Sequence, residues 1–150
     1  MSSLKDIKEF LDQKNIVVAG VSRSGKNIGN SIYNELKKKN YNVVQLNPNA
    51  DEIMGEKCFK SFEELPKDIS AAVLCVQPSE SISAVKEALN KGIKKVWMQL
   101  GSDSEEAINF CKENNMVCVY GQCFLMFAEP VESVHKFHRF FYKLFGKYPK

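Results

Sequence analysis

The chain has 150 residues, of which 44% are hydrophobic and 26% charged, a balance that suits one globular domain with a real core and excludes disordered, fibrous and membrane-spanning classes. Its net charge of +3 is too small to argue for nucleic acid, and no single-sign block is long enough to form a tail. The first residues are polar and charged, so no signal peptide is expected, and no apolar run is long enough to cross a bilayer.

Leu4, Ile7, Phe10 and Leu11 follow a candidate Ser3 cap at helical spacing, so a short helix opens the chain. Ile16–Val21 is short, apolar and rich in β-branched residues, as a buried parallel strand is. A glycine-punctuated basic loop follows. Ile28, Ile32 and Leu36 then mark one face of a helix running to about Lys39. Val43–Leu46 reads as the second strand, and an irregular stretch holds Gly55, a brief 57–59 strand and a helical turn near Phe62–Leu65. Ala71–Val76 is a strand, with a helix over about Ser79–Asn90 packed through Ile82, Val85 and Leu89. Lys95–Gln99 is another strand, a helix covers about Ser104–Asn114, and Met116–Val119 ends the sheet. Alternating β and α segments with right-handed crossovers predict an α/β fold: a doubly wound, mostly parallel Rossmann-like sheet with helices on both faces.

A strand, a Gly/Ser loop and a helix in that order bring backbone N–H groups to a helix N-terminus, an anion site suited to phosphate. Gly20 to Asn27 nearly spells a P-loop, but Asn27 lacks the metal-binding hydroxyl, and no other apolar strand ends in a carboxylate. In a dinucleotide-type turn, Gly20 would tighten the turn and Gly29 would let the helix pack. The acid expected after the second strand for a ribose 2′-OH is missing, because Leu46 runs into Asn47-Pro48. Alternatively, Gly20, Gly25 and Gly29 only shape a tight connection.

Ligands of such sheets lie beyond the strands' C-terminal ends, so Val21 to Ser24, Asn47-Pro48, Gln77-Pro78 and Gln99 to Gly101 belong together. None forms a general acid and base pair. Each also has a plain reading as turn chemistry.

The segments GVSRSGKNIG (20–29), QLNPNADEIMGEKCFKSFEELP (45–66), VQPSES (76–81) and VWMQLGSDSEEA (96–107) resemble the small CoA-binding domain proteins, free-standing versions of the CoA-binding domain of the succinyl-CoA synthetase alpha subunit. The resemblance runs from about Asp12 to Cys123. It implies that Gly20, Val21, Ser22, Arg23 and Lys26, with the N–H groups of Asn27, Ile28 and Gly29, hold a diphosphate. Asn47 and Pro48 would border the adenosine, Val76, Gln77 and Pro78 would line its other side, and Gln99 and Gly101 would lie nearer the pantetheine. The synthetases' second domain and partner subunit have no counterpart here. The expected function is therefore non-catalytic binding of coenzyme A or an acyl-CoA. An NAD(H)- or adenine-nucleotide-sensing regulator is the alternative, and an acyl-CoA ligase fragment or degenerate ATPase is a third class.

The organisation expected is one domain over residues 1–150, with 120–150 as a C-terminal helical extension. After Pro130, Val134, Phe137, His138, Phe141, Leu144 and Phe145 fall on one helical stripe. That stripe could pack on this domain, join a homodimer or rest on a membrane. Cys123, His135 and His138 offer a weak zinc pattern, with no metal expected. Cys123 could instead meet a ligand thiol as a mixed disulfide. Five cysteines without a CxxC pair suggest buried thiols in a reducing cytoplasm.

Overall fold

The computed structural model describes residues 2–126. Helix α1 (Leu4–Leu11) starts where expected, with the Ser3 hydroxyl accepting from the Asp6 amide at 3.2 Å. Strand β1 (Asn15–Ala19) leads to α2 (Ile28–Lys38), and β2 (Asn42–Leu46) is followed by two short strands, β3 (Glu52–Ile53) and β4 (Glu56–Phe59). A 3₁₀ turn over Phe62–Glu64 precedes β5 (Ala71–Leu74) and α3 (Pro78–Asn90). Then come β6 (Lys95–Gln99), α4 (Glu105–Glu113), β7 (Val117–Gln122) and a 3₁₀ turn at Phe124–Met126.

These strands form one sheet in the order β3-β4-β2-β1-β5-β6-β7. All pairings are parallel except β3 with β4, where Glu52 faces Lys57 and Ile53 faces Glu56. The expected doubly wound α/β sheet is therefore present, with one antiparallel hairpin at its edge.

Side-chain alternation along the strands builds two cores. Ile16, Val18, Val73, Trp97 and Val119 pack beneath α1 and α2 against Ile7, Phe10, Ile32 and Leu36. Val17, Ala19, Ala72, Leu74, Val96 and Met98 face the other way, onto Val85 and Ala88 of α3 and Ala107 and Cys111 of α4. Trp97 is fully buried, edge-on to Phe124 and Phe10 at centroid distances of 4.9 and 5.5 Å.

Several boundaries differ from the sequence reading. The hairpin strand β3 was expected to be irregular: two residues are too few to show a period of two. Strand β1 ends at Ala19 instead of Val21 because Gly20 turns the chain with φ +97°. Strand β5 stops at Leu74, not Val76, and α3 starts one residue earlier than expected, at Pro78, where a fixed φ suits the first helical position. Strand β7 continues to Gln122 through an irregularity opposite Trp97–Gln99, into the span expected to be helical extension. The stripe after Pro130, with His135 and His138, lies outside the described residues. Among the described residues, no helix is long and apolar enough to cross a membrane.

Candidate functional site

The chain reverses its winding direction at β1: α2 carries it towards β2 on one side, while β5 lies on the other. The loops leaving β1 and β5 meet there. A Cβ on Gly20 would stand 2.0 Å from the Cys75 carbonyl oxygen, so only glycine lets the two strand ends close up. Gly29 has the same role as the second residue of α2, where a Cβ would come within 2.7 Å of the Gly20 carbonyl oxygen.

Between these glycines, the loop is held by two asparagines. Asn27 caps α2: its Oδ1 accepts from the Asn30 amide at 3.1 Å, and its Nδ2 donates to the Gly20 carbonyl at 3.0 Å. Asn30 is buried, takes the Ser22 amide on its Oδ1 at 2.9 Å and donates from Nδ2 to the Ser22 carbonyl at 3.1 Å. Of the amides in the first turn of α2, that of Asn30 is thus satisfied internally. Those of Ile28 and Gly29 have no intrahelical partner, and they form the positive end of the helix dipole. Ser22 and Ser24 share a hydroxyl hydrogen bond of 2.8 Å, which tightens the turn further. Arg23 and Lys26 project from this loop, both exposed and in no ion pair among the described residues.

Beside the loop, a cleft of about 630 Å³ opens over the strand ends. Gly20, Ile28, Asn47, Pro48, Val76, Gln77, Gln99 and Gly101 of the expected set line it, together with Asn49, Phe62, Cys75, Glu80, Glu87, Leu100 and Ser102. Its walls are held by polar contacts. Asn47 donates to the Val21 carbonyl at 2.9 Å and accepts from the Asn49 amide at 2.8 Å. The Val76 amide donates to the Ser102 hydroxyl at 3.2 Å, and Ser81 in turn donates to the Ser102 carbonyl. Ser102 thereby ties the β5 exit to the β6 exit.

The expected residues divide into three groups. The cleft-lining set above is brought together by the fold. Ser22, Arg23, Lys26, Asn27 and Gly29 form the adjoining loop and do not line the cleft. Val21 is buried in the core beneath α2, and Pro78 starts α3 off the lining. Gln99 does border the cleft, yet its carboxamide points its bonds elsewhere: Nε2 donates to Cys123 Sγ at 3.2 Å and Oε1 accepts from the Phe124 amide at 2.9 Å.

Sequence reasoning missed Asn30, Glu80 and Glu87. The N-x-x-N spacing of Asn27 and Asn30 is a readable capping signal. Gln77, Glu80, Ala84 and Glu87 lie on one helical stripe that the Gln77-Pro78 start would have placed towards the cleft.

The cysteines are all unpaired. Burial pushes the Cys75 thiol up to about 12, so this cleft-lining group stays protonated and unreactive near neutral pH. A hydrogen bond with Cys111, and then burial, raise Cys118 as well. Among the described residues, no three His, Cys, Asp or Glu side chains gather as metal ligands.

A parallel sheet with a glycine-tightened loop and a helix N-terminus at its switch point defines the Rossmann-like class of α/β domain. Residues 14–129 match the family described as the CoA binding domain, and the chain belongs to that family. A conserved hypothetical protein from Pyrococcus furiosus superposes with a TM-score of 0.70 at 38% identity, covering 73% of this chain and 95% of that one. An uncharacterised Bacillus subtilis protein, YneT, is 25% identical over 81% of this chain and 90% of its own length. The ADP-forming acetate–CoA ligase II of Archaeoglobus fulgidus is 28% identical over 69% of this chain. The chain spans only 16% of that ligase's length.

Proposed function

We propose that this protein binds coenzyme A or an acyl-CoA without reacting it, gripping the diphosphate between the Ile28 and Gly29 amides and the side chains of Arg23 and Lys26. The observation that carries this reading is the unfilled first turn of α2, capped by Asn27 only at Asn30, with two cations on the same loop and the cleft alongside. Membership of the CoA binding domain family supports the choice of ligand. The adenosine enters over Asn47, Pro48, Val76 and Gln77, and the pantetheine leaves past Gln99 and Gly101.

A binding role without catalysis fits the cleft's chemistry. Its polar lining consists of amides, hydroxyls, one protonated thiol and two carboxylates. Glu80 and Glu87 are both exposed on the α3 side of the cleft. The reading takes residues 1–150 as one domain working in the cytoplasm, where five unpaired cysteines stay reduced.

Thermal unfolding tests it. At a hundred times its dissociation constant, CoA should stabilise the fold by about 2.7 kcal/mol, which raises the midpoint by roughly 5–10 °C for a chain of this size. A midpoint that rises with NAD and is indifferent to CoA and acyl-CoAs would replace this reading with that of an NAD-sensing domain.

A further inference from the structure

We infer that the site offers no cation to the ribose 3′-phosphate of CoA, so that dephospho-CoA binds at least as tightly as CoA. The inference rests on the diphosphate lying at the α2 N-terminus, as proposed above, and names the ligand class more closely.

With the diphosphate at the loop, the adjoining ribose falls over the exit of β2, where Asn47, Pro48 and Asn49 line the cleft. The Asn47 carboxamide is already committed on both sides, to the Val21 carbonyl and to the Asn49 amide. Among the described residues, the lining holds no lysine, arginine or histidine. It does hold two carboxylates, Glu80 and Glu87, on the α3 stripe facing the cleft. Lys60 follows β4, the strand paired directly beside β2, but it does not line the cleft and pairs with the exposed Asp51 at 3.0 Å. Arg23 and Lys26 serve the diphosphate in this arrangement. A phosphate on the 3′-oxygen therefore adds negative charge to a cleft whose described lining carries fixed charges of negative sign only, and like charges repel even when water weakens the repulsion.

Isothermal titration of the full chain with CoA and with dephospho-CoA, at low and at moderate salt, tests this. The expected result is dephospho-CoA equal to CoA or tighter by up to about threefold, with any gap narrowing as salt screens the repulsion. Glu80→Gln combined with Glu87→Gln should tighten CoA more than it tightens dephospho-CoA. CoA as the tighter ligand of the unaltered protein overturns the inference while leaving the binding reading intact. An equal effect of the double substitution on both ligands also overturns it, because the 3′-phosphate then does not sense those carboxylates. Binding of neither ligand removes the inference and the proposed function together.

Discussion

Replacing Gly20 with alanine is expected to lower folding stability by about 3 kcal/mol, since a non-glycine residue at strongly positive φ is itself strained by about 1–3 kcal/mol and a core contact must also give way. Gly20 sits at φ +97°, and its added Cβ would lie 2.0 Å from the Cys75 carbonyl oxygen. That oxygen is backbone, so it cannot swing aside as a side chain would. Relief requires β1 and β5 to move apart at the switch point. The Gly20 amide, which donates to the Leu46 carbonyl at 3.2 Å, would be drawn off as well. Urea unfolding should show the midpoint falling with little change in slope, and the melting temperature should fall by roughly 6–12 °C. A loss below about 0.5 kcal/mol, the range of an ordinary surface change, would mean that the two strand ends are not packed as described.

The second large effect is on binding alone. Arg23→Ala with Lys26→Ala should weaken CoA by at least about a hundredfold, because charge-assisted hydrogen bonds to a diphosphate are worth about 1.5–3 kcal/mol each and every 1.4 kcal/mol is tenfold. Both side chains are exposed and make no ion pair among the described residues. Stability of the free double variant should therefore stay within about 0.5 kcal/mol of the parent. Calorimetry and urea unfolding on the same preparations separate the two roles. Unchanged affinity with lowered stability would make these cations part of the scaffold.

Much of this architecture was legible because buried strands and amphipathic helices write their periods directly into the chain. The strands read as Ile16–Val21 and Ala71–Val76 found their places within two residues, and Ile32 and Leu36 of the α2 stripe are buried as expected, whereas Ile28 is exposed at the cleft. The hairpin strand Glu52–Ile53 was invisible, since its pairing depends on the Met54-Gly55 turn and on β4 across it, not on a local pattern. The end of β1 was misplaced for a related reason. Val21 is as apolar as the strand before it, yet the close approach of Cys75 forces the turn at Gly20.

At the site, the glycines, the amides and the prolines were readable as an edge of polar turns. Their division of labour was not. Nothing local announces that the Gln99 carboxamide is spent on Cys123 and Phe124, 24 and 25 residues away. The cleft's fixed charge from α3 was missed as well, although the helical stripe of Gln77, Glu80, Ala84 and Glu87 carries that signal. The sequence places cations in the loop, whereas the lining carries Glu80 and Glu87.

The central claim is that the first turn of α2 receives the diphosphate of CoA. Recording the amide ¹H–¹⁵N spectrum of the labelled protein during a CoA titration tests it most directly. The account predicts its largest shifts at Ile28 and Gly29, with smaller ones at Val76 and Gln77, and the same loop response to ADP alone. Shifts that leave Ile28 and Gly29 unmoved while CoA binds elsewhere on the surface would contradict it.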